Sequence, residues 1–171
     1  MRTASLAATL VAALLVALPA SAAKDKDKAP ALPGTLAVED VRGTFVITGA
    51  GTLVGHIERG SLVVVDRSLN DQWSTRVNGV PYGKSVSARG RDLNFWIPGG
   101  HYRVVVKGEG ISISARGIGT LHARPKQDAP GPAGIVRVGD GEAQPLSGSS
   151  ERILVFGGPV EDEQPVDLDS E

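Results

Sequence analysis

Between Gly99 and Arg124 the chain reads GGHYRVVVKGEGISISARGIGTLHAR, an apolar–polar alternation that restarts after each glycine break. Tyr102, Val104 and Val106 fall on one side, against His101, Arg103, Val105 and Lys107 on the other. After Gly108-Glu109-Gly110, the residues Ile111, Ile113 and Ala115 oppose Ser112, Ser114 and Arg116. After Gly117-Ile118-Gly119, Leu121 and Ala123 oppose Thr120, His122 and Arg124. A period of two places successive side chains on opposite faces of a strand with one face buried. Glycines at the breaks admit the positive φ that tight hairpin turns need. The stretch therefore predicts a three-stranded β-meander with one apolar face and one polar, basic face.

The rest of the chain carries the same signature. Its 171 residues suit one domain, with 22 glycines, 11 prolines and only 4% aromatics, a balance that favours short strands and turns over long helices. Strands are expected at residues 44–48, 52–57, 61–67, 74–78, 93–97, 101–107, 111–116, 120–124, 135–138 and 152–156. Residues 68–73, 79–91 and 125–132 read as loops. Residues 62–65 are apolar without alternation, which predicts cover on both faces. The pattern predicts an all-β fold, an antiparallel β-sandwich or barrel of about ten short strands.

A faint repeat runs through the middle. Phe45 to Gly51 aligns with Val104 to Gly110, and at the same offset Gly60 meets Gly119 and Leu62 meets Leu121. Two tandem similar units are expected, at about 41–98 and 100–159. The repeat would turn Val54 inward, whereas hydrophobicity favours Leu53 and Ile57.

The two ends of the chain differ from this middle. Residues 1–22 combine Arg2, an apolar run from Leu6 to Leu18 and a small-residue cleavage site at Ala20-Ser21-Ala22, the pattern of a signal peptide. The run falls short of the roughly 20 apolar residues that span a bilayer, so cleavage is favoured over anchoring. Residues 23–36 form a charged, proline-rich leader, residues 37–158 the β-domain, and residues 159–171 an acidic tail. The localisation expected is secreted or extracytoplasmic. Charge segregates accordingly: residues 29–159 hold 14 bases and 11 acids, although the whole chain has a net charge of −1. No cysteine is present, which excludes disulfides, thiolate metal ligands, a thiol nucleophile and a lipidated anchor.

Motifs for chemistry are missing. There is no nucleophile elbow, phosphate-binding loop, zinc-protease signature or calcium loop, so neither a metal nor a cofactor is expected. His101 and His122 lack the carboxylates that a metal site would need beside them. The best candidate binding residues are Arg103, Lys107, Arg116 and Arg124 with His101 and His122 on the polar face of the meander. Trp73 joins them as a loop aromatic suited to stacking. Such a face suits an anionic envelope polymer, lipid headgroups or an acidic protein segment; nucleic acid is not expected. The plain alternative is a solvated sheet face, which antiparallel sheets commonly have. Trp96 reads as core in preference to a ligand contact, and one of Phe95 and Trp96 must point inward.

The segment FWIPGGHYRVVVKGEGISISARGIGTL resembles one found in secreted proteins of actinobacteria, over roughly Val41 to Leu121. The resemblance implies a small secreted β-domain and carries over no active site. Two function classes follow: a non-catalytic binding or structural domain of the cell envelope or extracellular space, or a cell-wall or polysaccharide hydrolase with an unmarked carboxylate pair.

Overall fold

A computed structural model describes residues 31–68, 74–126, 133–148 and 150–159. Among these there is no helix, and every strand pairing is antiparallel. The strands are β1 (Ala31–Leu32), β2 (Gly34–Asp66), β3 (Arg76–Val77), β4 (Val80–Pro81) and β5 (Ser85–Ile97). After them come β6 (His101–Pro125), β7 (Ile135–Val138), β8 (Gln144–Pro145), β9 (Arg152–Phe156) and β10 (Gly158–Pro159). The expected signal peptide, most of the leader, Trp73 and the acidic residues of the tail lie outside the described residues. Ala31 and Leu32, within the expected leader, pair with Pro159 and Gly158.

Two strands carry the fold, β2 with 33 residues and β6 with 25. They pair in two registers at once. In the first, Gly34 to Ala50 runs against Gly117 to His101; in the second, Gly43 to Asp66 runs against Pro125 to Tyr102. Val46 therefore has Val105 on one flank and His122, from a later leg of β6, on the other. The two strands make one antiparallel ribbon that winds back against its own edge. β5 and β9 extend the sheet beyond it, with β3 and β4 outside β5 and β7 on the first leg of β2.

This corrects the expected meander. The glycine breaks are bends inside continuous strands, and the hydrogen-bond partner of each leg of β6 lies in β2. At these bends neighbouring backbones come too close for side chains. A Cβ on Gly60 would run into the Lys107 carbonyl oxygen, and one on Gly108 into that of Arg59. Gly117 likewise sits against the carbonyl of Ala50, at φ +152°. Glycine is required there for close approach of two chains, a need that leaves the same mark in a sequence as a hairpin turn.

Alternation holds between bends. Phe45, Ile47, Leu53, Ile57, Leu62 and Val64 from β2 meet Tyr102, Val104, Val106, Ile111 and Leu121 from β6 in one core. Each such side chain removed from water contributes about 1.5–3 kcal/mol. Leu53 faces inward and Val54 is half exposed, as hydrophobicity indicated and the repeat did not. Residues 62–65 do not have cover on both faces: Val63 and Val65 are 39% and 38% exposed. Residues 85–91, expected as loop, belong to β5, where Ser85 to Gly90 pair with Val65 to Gly60. β7 and β9 coincide with the expected strands.

Candidate functional site

One bend gathers five strand passes side by side. Gly60 pairs with Gly90 on one flank and Gly108 on the other, and Gly43 pairs with Gly108 and Pro125. The row Gly90, Gly60, Gly108, Gly43, Pro125 thus crosses the sheet with almost no side chains. It floors a groove of about 950 Å³, at the upper end of the roughly 300–1,000 Å³ usual for ligand sites.

The rims are made by the residues before and after each glycine. One rim is Arg89, Ser61, Lys107, Thr44 and Arg124, each directly opposite the next. The other includes Arg91, Arg59 and Glu109 in register, followed by Arg42 and Lys126, whose backbones are joined by Lys126 N–H donating to the Arg42 carbonyl at 2.8 Å. Among the described residues seven bases line the groove, half of those between residues 29 and 159, against one acid, Glu109. Glu109 is paired with Arg59 at 3.1 Å. Passes lie about 4.8 Å apart, comparable with the Debye length of about 8 Å, so these charges act on a ligand together. A concave surface of one sign concentrates counter-ions.

At the groove's end Arg124 donates to Glu151 Oε2 at 2.7 Å, and His122 Nδ1 lies 3.1 Å from Oε1. The Arg124 hydrogen bond, then that of His122, holds the exposed Glu151 carboxyl below its usual range.

Only part of the expected face comes together here. Lys107 and Arg124 line the groove; Arg103, two periods of the alternation further back on the same pass, points outward opposite Thr48 and Val65. Arg116 is exposed opposite Thr35 and Thr52, on the leg of β6 before the Gly117 bend and away from the groove. His122 flanks Val46, while His101 stands at the far end beside Ala50, its backbone N–H donating to Ser68 Oγ at 2.7 Å. Trp73 lies outside the described residues.

Five lining bases escaped the sequence reading: Arg42, Arg59, Arg89, Arg91 and Lys126. A signal existed, since a base precedes glycine at Arg42-Gly43, Arg59-Gly60, Arg89-Gly90 and Lys107-Gly108. Arg116-Gly117 shows the same dipeptide outside the groove, so only register sorts them.

Trp96 is not core. It is 39% exposed, with the Arg76 guanidinium 5.7 Å from its ring centre, while Phe95 points inward. A second depression of about 350 Å³ is lined by Thr48, Ala50, Ile118, His101 and Arg67, among others. Among the described residues no three of His, Asp and Glu cluster as metal ligands would. No family model, curated protein or solved structure matches this chain.

Proposed function

We propose that this chain is a non-catalytic binding domain that acts outside the cytoplasm after loss of its signal peptide, and that the basic groove holds an anionic envelope polymer. The convergence of seven bases on one glycine-floored groove carries this reading. An exposed ion pair contributes about 0–1 kcal/mol, so useful affinity requires several at once, and the groove supplies several. Hydrolysis by a carboxylate pair needs two acids flanking one bond; the groove's lining supplies Glu109, already held by Arg59.

The fold is read as two tandem units in two layers. Legs 34–41 and 51–57 of β2 flank residues 111–117, while legs 43–50 and 60–66 flank residues 101–108. The pairings also repeat. Val46 pairs with Val105, its own counterpart in the second unit. The pairing of β2 with β7 has its counterpart in β5 with β3, that of β7 with β8 in β3 with β4, and that of β6 with β9 in β2 with β5. By this equivalence the smaller depression is the groove's twin. Thr48, Ala50, Ile118 and His101 stand there in place of Lys107, Glu109, Arg59 and Arg42. There Arg67 stands in place of Lys126, and the same bend forms with that one Arg where the groove has seven bases, which supports a role for the others in binding.

The test is retention of the mature chain on immobilised polygalacturonate across a salt series. Binding at low salt, release as salt rises, and at least tenfold weaker binding after Arg89→Ser with Arg91→Ser are expected. Equal binding by that variant, or binding of the parent to neither polygalacturonate nor hyaluronan, rejects the reading. Export is checked separately: N-terminal sequencing of secreted protein should begin at Ala23.

A further inference from the structure

The two rims of the groove are not alike. Along Arg89, Ser61, Lys107, Thr44 and Arg124, cation and hydroxyl take turns. Leu62, Val106, Phe45 and Ala123, next along each pass, are buried, so these rim side chains share the outer face. At about 4.8 Å between passes, the three cations fall about 9.6 Å apart and the row spans about 19 Å.

On this rim a polymer charged on every unit would leave alternate charges over Ser61 and Thr44, which offer hydrogen bonds; the countercharge on those two passes lies across the groove, on Arg42 and on Arg59, the latter already paired with Glu109. A polymer charged on every second unit sets each acid beside a base and each neutral unit beside a hydroxyl. A sugar ring in an extended chain advances by roughly the spacing of neighbouring strands. The bare floor of Gly90, Gly60, Gly108 and Gly43 lets a flat ring approach the backbone. Arg89 has a forked donor set that suits a carboxylate, and Arg124 a second one that already meets the Glu151 carboxylate.

From this pattern we infer that the groove binds an acidic polysaccharide with a two-sugar repeat, one carboxylate per repeat, lying across the strands. The inference rests on the groove being the anion site. Its ligand spans about five sugars, one per pass.

Calorimetric titration of the mature chain with hyaluronan oligosaccharides, which alternate acidic and neutral sugars, tests this against polygalacturonate oligosaccharides of equal length, which are acidic at every sugar. Hyaluronan affinity should rise with length to about five sugars and then level off. Ser61→Ala with Thr44→Ala should weaken hyaluronan binding about threefold to tenfold, the effect of one or two hydrogen bonds, and leave polygalacturonate binding unchanged. Lys107→Ser should weaken both. Tighter binding of polygalacturonate, or no effect of the hydroxyl substitutions, overturns the alternating-polymer inference while leaving the groove an anion site. Absence of binding to either polymer at low salt overturns both.

Discussion

Tyr102 carries its hydroxyl into the core without a hydrogen-bond partner, and the residue is 1% exposed. Burial pushes its phenol up to about 12, so the group stays neutral under ordinary conditions. An unpartnered buried hydroxyl costs roughly 1–3 kcal/mol in lost hydration. Tyr102→Phe should therefore be neutral or stabilising by about 1 kcal/mol in urea denaturation; a loss of that size would show that the hydroxyl finds a partner. Glu151 makes the second residue-scale case. Its folded-state pKa lies below 4.5, chiefly through Arg124. A depressed carboxylate stabilises the fold above its unfolded pKa, and that contribution fades as pH falls through the lower folded value. An NMR titration should place its midpoint below 4.5, and Arg124→Ser should raise it towards that value.

The long strands depend on their bends. At Gly60 any Cβ meets the backbone of Lys107 and Gly108, which cannot move aside without parting β2 from β6. Gly60→Val should cost about 3 kcal/mol or more, the upper range of overpacking. Gly79 is the contrasting case: its φ is +78° and a Cβ there meets nothing within 4 Å. Gly79→Ala should cost only the local strain, about 1–2 kcal/mol. Equal losses at the two positions in urea melts would refute close approach as the reason for the Gly60–Gly108 pairing.

Across the whole molecule, residues 43–50 of β2 are flanked by β6 on both sides, and β6 by β2 over most of residues 102–117. Opening either strand breaks ladders on both flanks, so the ribbon should open as one unit. Hydrogen exchange should show the slowest amides in these two segments, at protection close to global stability, and faster exchange in β3, β4 and β8. Faster exchange in residues 43–50 than in β9, which among the described residues pairs only with β6, would contradict the winding.

Alternation, glycine content and sparse aromatics were enough to read an all-β chain and the inward set Tyr102, Val104, Val106, Ile111 and Leu121, because side-chain direction in a strand is a local property of the backbone. The sequence also marked Lys107 and Arg124 as outward bases. It could not say whether Gly108 and Gly117 turn the chain back or let a distant backbone pass, since both uses demand the same missing Cβ. That choice depends on which strand lies alongside, and strand pairing is a long-range contact between β2 and β6. The pairing made one strand of three expected ones, parted Arg116 from Lys107, and brought Arg42, Arg59, Arg89, Arg91 and Lys126 to one groove. Charges scattered along the chain from Arg42 to Lys126 become a site only when register lines up the glycines beside them.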